Sequence, residues 1–258
     1  MQKRCDFRMP GKNRGETEDR RDVSAFKRER PVSPRQSKTP EDIAAKHGLM
    51  TAFFDGALAR VDFLSELREG GRHIEAFTLC LTYVDSFSQW LLWPREKSGR
   101  NFVEALATYE ASPYFGLVHP LQAIRAFGAM KGKGFWPSMS ALVQRAFPGP
   151  SYELLHETAF EGRLAVTCSP ADLSQIRGEL WRATIGGIAY FWLRNPSVHG
   201  FGSSPSLSFG STTYNGAEPE PLTLRAFLPP LRAMIGEARK RSEATLQWFG
   251  DDRIMFYA

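Results

Sequence analysis

From residue 41 onward, apolar side chains recur at three- and four-residue spacing, and this period dictates helices that pack face to face. The first stripe carries Met50, Phe53, Phe54, Ala57, Leu58, Val61, Leu64 and Leu67, with Asp55, Asp62, Glu66 and Glu69 off it. Thr39-Pro40-Glu41-Asp42 reads as the helix start, and Gly70-Gly71 as its end. A second helix is expected from about Ile74 to Trp93, stopping at Pro94. It is apolar nearly all round and therefore expected to be buried. One polar stripe crosses it: Thr78, Thr82, Asp85 and Gln89.

Between residues 98 and 170 the pattern breaks into short helical stretches, Phe102–Glu110, Leu121–Ala129, Ser138–Phe147 and Tyr152–Phe160, separated by Pro and Gly. A third strong helix is expected from about Asp172 to Leu193. Gly186-Gly187 lie in its interior, where glycine costs about 1 kcal/mol relative to alanine. That cost implies close approach of another backbone, from a neighbouring helix or a second copy of the chain. Residues 204–224, with alternation and Tyr-Asn-Gly, read as a loop or a small β-hairpin. Pro229-Pro230 are expected to open a last amphipathic helix carrying Leu231, Met234, Ile235, Ala238, Thr245 and Trp248. The fold class is all-α, with a small β-hairpin insertion.

The charge divides unevenly. Residues 1–40 hold twelve Lys or Arg against six Asp or Glu, a net +6, whereas the remainder holds 21 basic and 22 acidic residues, a net −1. The domains are therefore read as a basic tail, 1–40, and a single helical domain, 41–258. The tail has no apolar period and cannot order itself. Three readings of it stand: an arm that touches nucleic-acid phosphates, a solvated tail, or an over-extended start with translation beginning near Met50. It has no apolar core for a secretion signal, and six acidic residues argue against a mitochondrial presequence.

Several function classes are excluded. The 19 Phe, 6 Trp and 7 Tyr exclude a mostly disordered chain. The longest uncharged apolar run, Ala183 to Leu193, is far short of the roughly 20 residues that span a bilayer, so no membrane partner is expected. Cys5, Cys80 and Cys168 form no CxxC pair, and a reducing cytoplasm is the simplest compartment. The Gly-Lys pairs at 131–134 lack the phosphate-loop frame. His156-Glu157 has Phe160 where a zincin needs its second His. The five histidines, 47, 73, 119, 156 and 199, do not cluster, so neither a metal nor another cofactor is expected.

One short motif carries chemistry: Leu193-Arg194-Asn195-Pro196-Ser197-Val198-His199-Gly200. A neutral imidazole near pH 7 can take the proton of an RNA 2′-OH or give one to a leaving 5′-oxygen. A guanidinium matches the phosphoryl oxygens that gather charge in the transition state. Asn195 donates and accepts without charge. Arg68 and His73 repeat the spacing, but Glu69 would repel a phosphate there and Gly70-Gly71 make a loose turn. Pro196 is expected to push Asn195 out of the α region, so that Arg194 closes one helix and His199 follows on a bent segment. On a straight helix the two would point about 140° apart. Asp85, a carboxylate on a buried helix, needs a partner, and Arg194 is available to it. Two plain readings stand beside these: the polar stripe as the solvated edge of its helix, and Arg194-Asn195-His199 as an ordinary helix terminus.

The Arg194-to-His199 motif, a long apolar helix leading into it and the buried partner helix 77–92 together resemble the HEPN superfamily and its Rx4–6H motif. The resemblance covers about residues 50–250 in helical pattern, and only the motif is specific. It implies a HEPN-like bundle and a metal-independent endoribonuclease of toxin or anti-phage type. Arg194 and His199 would be catalytic in a composite site between two copies of the chain, with Asn195 orienting them and Asp85 supporting Arg194. Cleavage would leave a 2′,3′-cyclic phosphate and a 5′-OH. The implied partners are RNA, a second copy, and an antitoxin or nucleotidyltransferase. The alternative is a catalytically inactive helical module binding nucleotide, RNA or protein, and a helical protein of unrelated role is the third reading.

Overall fold

The computed structural model describes residues 39–92, 98–109, 113–131, 134–149, 152–199 and 206–247, so the tail, Trp93, Pro94 and Trp248 lie outside the described residues. Helix α1 spans Pro40–Glu69, and its start is built as the sequence suggests. The Thr39 hydroxyl accepts from the Asp42 amide while the Asp42 carboxylate accepts from the Thr39 amide. This reciprocal cap satisfies two amides that a helix start leaves open. Gly70 caps the end, and Gly71 takes φ +82°, a left-handed value that glycine adopts without strain.

Helix α2 (His73–Leu92) crosses α1 and lies beside α3 (Ser98–Tyr109). The last helix, α10 (Leu224–Thr245), returns against both α1 and α2. Phe54, Phe77, Leu81, Phe102, Phe227 and Leu231 are among the buried side chains of this bundle. Phe227 meets Phe77 edge-on at 5.6 Å and Phe115 at 5.1 Å. Asp55 and Asp62 of α1 pair with Arg239 and Arg232 of α10 along the rim. Helix α10 begins five residues before the expected Pro229 start and contains both prolines. They leave the Arg225 and Ala226 carbonyls without their usual intrahelical donors. The helix holds because Leu224 and Phe227, one turn apart, are buried in the bundle core.

Short elements form a second cluster: α4 (Pro120–Ala129), α5 (Phe135–Ala146), α6 (Glu157–Leu164) and α7 (Pro170–Glu179). Phe147 stacks on Phe160 at 5.0 Å within it. Tyr152–Glu153, expected to be helical, is instead strand β1. Pairing decides this, since Tyr152 lies beside Thr212 and Glu153 beside Thr213 in a parallel ladder. Strands β2 (Ser206–Leu207) and β4 (Leu222–Thr223) pair antiparallel, and β3 (Thr212–Thr213) lies between them in sequence. The described chain is thus all-α with small sheets. No helix among the described residues is long and apolar enough to cross a membrane.

The expected single helix from Asp172 to Leu193 is broken. After α7 come a 3₁₀ turn, Leu180–Ala183, and an extended Thr184 with ψ 163°. A short helix α8 (Ile185–Ile188), a π-helical turn (Ala189–Arg194) and α9 (Asn195–His199) follow. Thr184 bridges Val118, and its hydroxyl accepts from the Gly187 amide, so the break is fixed from both sides. The close approach at the glycine pair is also real, and at Gly186 it comes in part from the neighbouring helix α3, whose Val103 side chain would lie 3.1 Å from a Cβ there. A Cβ at Gly187 would lie 2.2 Å from the Trp181 carbonyl oxygen, and one at Gly186 would lie 3.3 Å from that of Phe115. At Gly187 the backbone that closes over the pair comes from the turn just before it, Trp181 and Arg182.

Candidate functional site

The motif occupies the junction of the π-helical turn and α9. In the π turn the Asn195 amide donates to the Tyr190 carbonyl, five residues back. Asn195 itself is α-helical, with φ −63° and ψ −49°, contrary to the expectation drawn from Pro196. In a regular helix the proline ring would press on the carbonyl four residues earlier. The wider turn just ahead of Pro196 relieves that contact, and the backbone stays helical through Asn195 into α9. Tyr190 is held in place by the close packing of Gly99, where a Cβ would lie 2.7 Å from its ring. Phe102 lies 5.5 Å from the same ring.

The structure brings together three of the four residues singled out by the sequence. Arg194 Nη2 donates to Asp85 Oδ2 at 2.6 Å, and Nη1 donates to Asn195 Oδ1 at 3.1 Å. Its guanidinium carbon stands 5.4 Å from the centre of the Tyr190 ring, a cation–π contact. The Arg194 and Asp85 side chains are only 13% and 19% exposed, so both charges sit in a partly dry setting. There, removing one partner leaves the other exposed to a desolvation cost.

Asp85 is itself anchored. Gln89 Nε2 reaches Asp85 Oδ1 at 3.5 Å, and Asn101 Nδ2 of α3 donates to Gln89 Oε1 at 2.9 Å. The polar stripe of α2 is therefore an ordered relay of hydrogen bonds from α3 to the guanidinium at its Asp85–Gln89 end. Only Thr82 lies fully in solvent. Asn101 and Tyr190 were not singled out by sequence reasoning. Asn101 had no signal, because a polar residue on a short helix gains meaning only from what it faces.

His199 is the last residue of α9, and its side chain lies outside the described residues. The backbone is helical from Arg194 to position 199, and on a regular α-helix positions five residues apart stand about 140° apart around the axis. Among the described residues no group of three or more His, Cys, Asp or Glu could hold a metal ion.

No family model, curated protein or solved structure matches the chain.

Proposed function

We propose that the chain is a HEPN-like, metal-independent endoribonuclease of toxin or anti-phage type, acting through Arg194 and His199 of two copies. The observation that supports this reading is the guanidinium of Arg194, the first residue of the Arg194-to-His199 motif, fixed by Asp85 and Asn195. A held guanidinium loses little freedom when it meets phosphate oxygens, and it stabilises the charge that builds there. The second copy is what the HEPN resemblance implies, and the regular-helix separation of about 140° between the two positions is compatible with a site completed by the partner's motif.

The reaction needs no metal. One imidazole takes the 2′-OH proton as that oxygen attacks phosphorus. The bond from phosphorus to the 5′-oxygen breaks, and a protonated imidazole gives its proton to the leaving oxygen. The products are a 2′,3′-cyclic phosphate and a 5′-OH. The test is incubation of purified protein with RNA in EDTA, with product ends mapped. Wild type is expected to cut, and His199→Ala to be inert while melting normally. Intact RNA with wild type, or cleavage by both variants His199→Ala and Arg194→Ala, overturns the proposal.

A second reading is favoured by one observation: the Arg194 side chain is already engaged by a carboxylate and is only 13% exposed. On that reading the Asp85–Arg194 pair is a strut, and the chain is an inactive helical module that binds RNA, nucleotide or protein.

A further inference from the structure

Two adjoining clefts of about 370 Å³ and 620 Å³ share Arg125 and Trp192 as a common wall. They lie on the α4 side of the π turn, where the bundle meets the second cluster. Trp192 is 57% exposed, an unusual position for the largest apolar side chain. The smaller cleft is walled by the Tyr152 and Phe209 rings, which stand 6.1 Å and 6.2 Å from the imidazole of His119 at its floor. His119 is 3% exposed. Its Nε2 meets the Thr212 hydroxyl at 3.0 Å, whereas Nδ1 has no hydrogen-bond partner among the described residues. A buried polar atom without a partner is rare. Burial, then the nearby charge of Arg125, lowers the His119 pKa to about 4, so the imidazole is neutral at neutral pH. Lys131 also lines the larger cleft. Neither Arg125 nor Lys131 has a carboxylate partner among the described residues.

We propose that these clefts form a groove for single-stranded RNA, with one base seated among Tyr152, Phe209 and His119, and the phosphates on Arg125 and Lys131. Flat rings beside cations suit a strand of bases and phosphates. A duplex hides its base faces, so it does not fit. A neutral imidazole can donate to or accept from a base edge, which a charged one does only in part. The inference rests on the RNA reading above and names its substrate class.

The test uses fluorescence anisotropy with a labelled 2′-O-methyl oligoribonucleotide, which lacks the attacking hydroxyl and reports binding without cleavage. Trp192→Ala is expected to weaken binding about tenfold, the loss of one stacking contact. Arg125→Glu is expected to weaken it similarly and to flatten its salt dependence. Lys240→Glu, the same charge change on α10, serves as the control and is expected to leave binding unchanged. Both test positions are solvent-exposed, and melting curves check each fold. A duplex that competes as well as the single strand overturns the groove. So does wild-type binding by Trp192→Ala and Arg125→Glu together, or an equal loss in the control. If the strand binds through Trp192 and wild type never cuts RNA, the groove stands and the nuclease reading falls. If wild type cuts and neither substitution alters binding, the reverse holds.

Discussion

The two apolar clusters are built on different principles. The first is made by long helices, α1, α2 and α10, whose stripes are continuous and whose rims carry ion pairs such as Asp55–Arg239. The second is made by helices of 8 to 12 residues, held by bridges from Val118 to Leu155 and Thr184 and by the stacked Phe147 and Phe160. In the first, local pattern and global packing agree. In the second, long-range pairing sets where elements end. Both features with functional promise, the Asp85–Arg194 pair and the groove at Trp192, lie along the irregular segment where the two meet.

The largest expected effect comes from the first cluster. Phe227→Ala removes the ring that joins Phe77 and Phe115 and is expected to cost about 3–5 kcal/mol by denaturant unfolding. A loss below about 1 kcal/mol would show that α10 does not hold the bundle. Gly187→Ala places a methyl against the Trp181 carbonyl and is expected to cost about 3 kcal/mol. An unchanged melting temperature would mean the backbone there is not closely packed.

The pH dependence separates the clusters further. The pKa of His119 in the folded chain, about 4, lies below its ordinary 6.5, so the unfolded chain binds more protons between these values. Stability is therefore complete above about pH 6.5 and lost as pH falls toward 4, by up to about 3 kcal/mol. The comparison is wild type against His119→Gln, which should lose less stability over this window. Parallel curves would remove His119 as the cause. The smallest effect is a gain. Gly56 lies inside α1 with open space where its Cβ would be, so Gly56→Ala is expected to stabilise the protein by about 1 kcal/mol. Destabilisation there would contradict the regular packing assigned to the first cluster.

The same contrast explains what the sequence made legible. The Thr39–Asp42 cap, the Gly70-Gly71 stop and the α1 stripe are local signals, and each stands where the pattern put it. The proximity of Asp85 to Arg194 was readable because a carboxylate on a buried helix needs a partner. The break at Thr184, the π turn before Pro196 and strand β1 were not readable. The first and last depend on residues far away in sequence, Val118 and Thr212; the π turn is local, but a proline usually marks a break rather than a widened turn. Pro229 and Pro230 misled because proline usually marks a helix start, and the burial of Phe227 overrode that preference. The groove had no sequence signature, since Arg125, Tyr152 and Trp192 come from three separate elements.

The central claim is that Asp85 acts on RNA cleavage through the guanidinium it holds. A double-mutant cycle on the metal-free cleavage rate tests this most directly. Asp85→Asn should slow wild-type cleavage at least about tenfold, and should add nothing in an Arg194→Ala background that retains measurable cleavage. A wild-type rate in Asp85→Asn, an undiminished further loss in the Arg194→Ala background, or no cleavage by wild type would contradict it.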